Sequence, residues 1–141
     1  ENKKNTNYYQ VRKTLFKKFK DKDLKFTKFY DEKKTVEENL TYFEKKLNVM
    51  DIIFLSYGND GHIASLFPNL KPKILKKKVC FVCNKKNKYK FRISVSMNYI
   101  KKSKHKFLFF LGDEKKKIYK KLEKNSLINN TKFKKFKIVV I

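Results

Sequence analysis

One short stretch of this chain combines the residue types of a hydrolytic site: Gly58-Asn59-Asp60-Gly61-His62. Histidine changes charge near neutral pH, so His62 is a candidate general base. Asp60, two residues earlier, is a candidate to orient the imidazole. Gly58 and Gly61 permit a tight turn and a close approach of backbone to a ligand. If the loop opens a helix, its N–H groups can bind an anionic oxygen. By type and spacing alone the stretch reads more readily as a plain turn than as a site, because Asn, Asp and Gly are ordinary turn residues.

Other clusters point less sharply to chemistry. Cys80 and Cys83 form a Cys-x-x-Cys pair, a redox or zinc spacing. Zinc takes four ligands, however, and the chain has no second pair. Val79–Cys83 also reads as a strand, which sends positions i and i+3 to opposite faces. A buried, inert pair in a reduced cytoplasmic protein is therefore expected, with no metal site. The net charge is +25, from 38 Lys+Arg against 13 Asp+Glu. Such an excess suits a polyanion. Yet the lysines are scattered and accompany abundant Asn, Phe, Tyr and Ile, whose codons are AT-rich. Compositional drift is preferred to a specific nucleic-acid partner, although a positive field would still steer a phosphorylated substrate inward. No apolar run approaches the roughly 20 residues that span a bilayer. The opening Glu1-Asn2-Lys3-Lys4-Asn5 lacks the apolar segment of a signal peptide. No membrane partner is expected. The absence of an initial Met leads us to expect residues upstream of Glu1.

The elements that must position these residues follow from periodicity. The 141 residues, 40% hydrophobic, suit one domain with a real core. Tyr8, Val11, Leu15 and Phe19 repeat with a helical period, predicting a helix of about four turns. Thr35 and Glu38 form a capping-box signature before Val36, Leu40, Phe43 and Leu47, a second amphipathic helix. Ile52-Ile53-Phe54-Leu55 is a continuous apolar run, expected to be a strand buried on both faces. It leads into the 56–62 loop, after which a short helix is expected to run to Pro68. Strands are predicted at 79–83, 92–97, 107–111 and 136–141, with a helix after Asp113-Glu114. Alternating strands and helices predict an α/β fold with a mostly parallel sheet flanked by helices, Rossmann-like. Ligands bind beyond the carboxyl ends of such strands. The loops 56–62 and 112–115 and the segment around residue 97 are therefore expected to share one site.

The residues after the glycine loop narrow the reading. Asp60-Gly61-His62-Ile63-Ala64-Ser65-Leu66-Phe67-Pro68 resembles the signature of the 6-phosphogluconolactonase family, where a buried strand leads into Gly-x-Asp-Gly-His-x-Ala-Ser-Leu-Phe-Pro. The related glucosamine-6-phosphate deaminases share Asp-Gly-His but continue differently. In the same order along the chain, Asn7-Tyr8-Tyr9 with Arg12, Arg92-Ile93-Ser94-Val95-Ser96, and Leu111-Gly112-Asp113-Glu114-Lys115 resemble further family segments. The resemblance implies the fold shared by glucosamine-6-phosphate deaminase and ribose-5-phosphate isomerase. It implies hydrolysis of 6-phospho-D-glucono-1,5-lactone in the oxidative pentose phosphate pathway, with no metal or cofactor. His62 would activate water, aided by Asp60. Gly58, Asn59 and Gly61 would line the substrate, Arg92 would hold its phosphate as a planar fork, and Lys115 would contact phosphate or carboxylate. The phosphorylated lactone is the expected partner. A covalent fusion to glucose-6-phosphate dehydrogenase is admitted by the resemblance.

The chain departs from the family pattern at several points. Leu55-Ser56-Tyr57-Gly58 stands where Leu-Gly-Met-Gly is usual, so Ser56 replaces a glycine. Met97-Asn98-Tyr99-Ile100-Lys101 replaces a Leu-Pro segment whose following Asn is unmatched. The family's first strand, its phosphate loop and its Asp-Glu-Arg motif lie before Asn7. Residues 1–141 are thus expected to be a single lactonase-like domain without its N-terminal strand and phosphate loop. An inactive sugar-phosphate-binding module and a basic nucleic-acid-binding domain are the alternatives.

Overall fold

The computed structural model describes residues 7–14, 16, 27–124 and 135–141. The chain divides into two units, Glu1–Asn39 and Leu40–Ile141. In the first, α1 (Asn7–Thr14) carries Tyr8 and Val11 of the expected stripe; Leu15 and Phe19 lie outside the described residues. The turn before the next helix is tied together by Asn39, only 1% exposed. Its amide donates to the carbonyls of Asp31, Lys34 and Thr35 at 3.0, 3.1 and 2.9 Å, and its Oδ1 accepts from the Asp31 N–H.

The capping box closes as predicted at the start of α2 (Val36–Lys46). The Glu38 N–H donates to the Thr35 hydroxyl at 3.2 Å, and the Glu38 carboxylate accepts from the Thr35 N–H at 2.7 Å and its hydroxyl at 2.8 Å. Leu40 and Phe43 are fully buried. The other end of α2 meets the Lys78 ammonium, which donates to the carbonyls of Glu44 and Leu47. A cation there complements the negative end of the helix.

The second unit continues through β1 (Ile52–Ser56), β2 (Ile74–Leu75), β3 (Val79–Cys83), β4 (Phe91–Val95), α3 (Met97–Lys102), β5 (His105–Phe110), α4 (Asp113–Lys124) and β6 (Lys137–Val140). β1, β5 and β6 form a parallel sheet in the order β1-β5-β6. β2, β3 and β4 form a separate antiparallel sheet. The connection of residues 84–90 suits a hairpin, whereas a parallel crossover needs about a dozen residues or more.

One face of the parallel sheet builds the core. Ile53, Leu55, Leu108 and Phe110 pack with Tyr57, Ile63 and Ile100. Phe110 stacks on Tyr57 at 5.0 Å between centroids and meets Tyr119 of α4 edge-on at 5.3 Å. On the other face Phe54 is 66% exposed and touches Phe107 and Phe109. The run Ile52–Leu55 is therefore buried on alternate residues rather than on both faces. A satellite cluster joins Phe67, Cys80 and Val82. Cys80 is buried, and burial pushes its thiol up to about 11. Cys83 lies half-buried on the other face of β3. Among the described residues, no three His, Cys, Asp or Glu side chains gather as a metal-ligand set, and no helix is long and apolar enough to cross a membrane.

Two local expectations are corrected. Residues 62–67 form no helix. Ile63 bridges to both Tyr57 and Leu66, and its N–H and carbonyl both bond to Leu66, so the groups a helix would use are occupied. Residue 97 is no site loop either. Ser96 caps α3 by accepting from the Tyr99 N–H at 3.1 Å, and Met97 packs against the core.

Candidate active site

β1 and β5 run parallel and in register, so the segments after Ser56 and Phe110 leave the sheet on the same side. The Tyr57 N–H extends the ladder to the Phe109 carbonyl at 3.1 Å, and then the chain turns sharply. The Gly61 N–H donates to the Gly58 carbonyl at 2.9 Å, and the Gly58 N–H donates to the His62 carbonyl at 2.8 Å. This closure lays the His62 ring on Gly58. A Cβ at residue 58 would stand 2.3 Å from His62 Nδ1 and 2.4 Å from Cε1, so the ring keeps this seat only over a glycine. Gly61 supplies the left-handed backbone, φ +84°, that the turn needs. Ala64 follows at φ 52°, a conformation costing a residue with a Cβ about 1–2 kcal/mol.

His62 Nδ1 makes a short hydrogen bond with Asp60 Oδ1, and the His62 N–H donates to the same oxygen at 3.4 Å. Burial acts to raise the Asp60 carboxyl. The hydrogen bonds from the His62 ring and backbone outweigh it and hold the carboxyl below its usual range. Ionised Asp60 can only accept, which assigns the proton to Nδ1 and leaves the lone pair on Nε2. Burial, then the Asp60 charge, pushes the Tyr57 phenol up. The Phe67 ring packs against His62 at 4.9 Å, and the Arg92 guanidinium lies over Phe67 at 5.8 Å.

α4 supplies the facing wall. Gly112, φ +84°, turns the chain into the helix. Lys115 Nζ donates to Ser56 Oγ at 2.7 Å, and Asn59 Nδ2 donates to Glu114 Oε2 at 3.2 Å. An open cleft of about 680 Å³ lies here. Its polar lining includes Ser56, Asn59, Asp60, His62 and Lys115, with Gly58 beside them and Phe54, Leu55 and Ala64 as the apolar part.

The structure thus brings Gly58, Asn59, Asp60, His62 and Lys115 to one cleft. Gly61 and Arg92 do not line it. Gly61 serves the turn, where a Cβ would meet Pro68 at 3.1 Å. Arg92 donates to the Tyr89 carbonyl at 3.2 Å and to Asn87 Oδ1 at 2.9 Å, so its fork is engaged within the β3–β4 hairpin. Sequence reasoning missed the Ser56–Lys115 pair and the Phe67 support. His105 is exposed at the start of β5.

A family model described as glucosamine-6-phosphate isomerases/6-phosphogluconolactonase matches residues 1–131. The chain belongs to this family. The loop 58–68, the Arg92 strand and the Gly112–Lys115 turn all fall inside the family match. The 6-phosphogluconolactonase of Borreliella burgdorferi is 36% identical over 140 residues, which cover 91% of this chain and 59% of the relative. A probable 6-phosphogluconolactonase of Dictyostelium discoideum is 33% identical over 98 residues, covering 68% of this chain and 41% of the relative. The chain therefore spans about three fifths or less of the length of these curated relatives. The solved 6-phosphogluconolactonase of Shewanella baltica superposes with a TM-score of 0.71 at 20% identity, covering 96% of this chain and 64% of that one. The Plasmodium vivax 6-phosphogluconolactonase gives 0.67 at 22% identity, covering 97% and 62%. At these identities the likeness is one of fold: a parallel sheet flanked by helices.

Proposed function

We propose that the protein containing this chain hydrolyses 6-phospho-D-glucono-1,5-lactone to 6-phosphogluconate. The observation that carries the reading is the Asp60–His62 pair seated on Gly58 in an open cleft. The 6-phosphogluconolactonase names of the relatives supply the substrate. With Nδ1 bound to Asp60, Nε2 takes a proton from water as the water oxygen attacks the lactone carbonyl carbon. The tetrahedral intermediate collapses by breaking the bond to the ring oxygen. That oxygen takes the proton from the imidazolium and becomes a hydroxyl, so one water is consumed and His62 is restored. Asp60 stabilises the imidazolium between the two steps. Lys115 offers its ammonium to the phosphate. Arg92 supports His62 through Phe67, and it reaches a phosphate only by releasing Asn87.

The test is ring opening of freshly generated lactone by the full-length protein, set against spontaneous hydrolysis, with ammonia release from glucosamine 6-phosphate assayed in parallel. Lactone turnover without ammonia is the expected result. Ammonia release would assign a deaminase instead. Sugar-phosphate binding without either reaction would leave a binding module.

A further inference from the structure

Lys115 occupies the first turn of α4, where the helix presents the positive end of its dipole. Local helix energetics favour an acid there, as Asp113 and Glu114 provide, and disfavour a cation. Its placement is instead supported from across the cleft. An ammonium has donors and no acceptor, so the 2.7 Å contact makes Ser56 Oγ the acceptor from Lys115 Nζ. Ser56 is the last residue of β1, and its side chain is on the cleft side with His62. The neighbouring Asn59–Glu114 bond ties the same loop to the same helical turn. A glycine at 56 would leave Lys115 without this partner.

We infer that Ser56 is a positioning residue. It holds the Lys115 ammonium over the cleft, so that the anionic group of the substrate meets a fixed cation rather than a free-swinging one. The inference rests on the sugar-phosphate reading of the cleft, and it gives a role to a residue outside the Asp60–His62 pair. Preorganising a flexible lysine before binding removes an ordering cost from association.

The test is a double-mutant cycle on the full-length protein, with 6-phosphogluconate binding measured by calorimetry at fixed ionic strength. Ser56→Ala should weaken binding about tenfold, the scale of losing one hydrogen bond to a charged group. Ser56→Thr, which keeps the hydroxyl, should restore it. In a Lys115→Met background, Ser56→Ala should have no further effect. Lactone turnover followed in the same variants should show the loss in KM, with kcat kept. Equal losses from Ser56→Ala in both backgrounds, or no loss at all, would overturn the inference. Absence of turnover in a wild type that still binds 6-phosphogluconate would refute the lactonase reading alone, with the cycle still decisive for Ser56. A wild type that neither binds 6-phosphogluconate nor turns over the lactone would refute both.

Discussion

His62 is held by its seat on Gly58, its hydrogen bond to Asp60 and the Phe67 ring, and variants separate the first two. Gly58→Ala places a methyl group 2.3 Å from Nδ1, so the ring must leave its seat. We expect kcat to fall by about 10²-fold, the scale of lost general-base catalysis, with the protein still folded by circular dichroism. Asp60→Asn keeps the shape, and its amide oxygen can still accept from Nδ1 and from the His62 N–H, but it lacks the charge that stabilises the imidazolium. A similar fall in kcat is expected, with KM little changed. The Asp60 carboxyl also has a stability signature. Its folded value lies below the ordinary one, so its charge stabilises the protein above the ordinary carboxylate range, and that gain is lost as pH falls through the lowered value. Thermal stabilities of wild type and Asp60→Asn should differ near neutral pH and converge in acid; a constant gap would contradict the assignment. Most of this site was legible as a run of neighbours in the chain, since Gly58 through His62 make their own turn. Ser56 and Lys115 meet across a separation of 59 residues, which no local pattern encodes. Arg92 was legible as a fork but not as one already engaged by Asn87 and Tyr89.

At the scale of elements, local rules worked where the determinants are local. The capping box at Thr35 and Glu38 and the strands at β1, β3 and β5 follow from spacing and apolar runs. Thr35→Ala should cost about 1 kcal/mol of stability in urea denaturation. Phe110, fully buried between Tyr57 and Tyr119, should cost about 3–5 kcal/mol when cut to Ala. The short helix expected at 62–67 fails because Ile63 spends its backbone groups on Leu66. Division of the strands into a parallel and an antiparallel sheet depends on which partners each strand finds. Periodicity reports the exposed and buried faces of a strand and says nothing of its neighbour.

For the whole molecule, the +25 charge has a kinetic consequence. A positive field attracts a phosphorylated substrate, and salt screens it over about 10 Å at 0.1 M. KM for the phosphorylated lactone should rise with ionic strength while kcat holds. Tight DNA or RNA binding with a steep salt slope would instead favour the nucleic-acid alternative. The central claim is that this cleft hydrolyses the phosphorylated lactone through His62. The direct measurement is turnover of fresh 6-phosphogluconolactone by the full-length protein beside a folded His62→Ala variant, each corrected for spontaneous opening. Clear catalysis by wild type is expected, falling by about 10²-fold or more in the variant. Equal rates in the two proteins would contradict hydrolysis through His62.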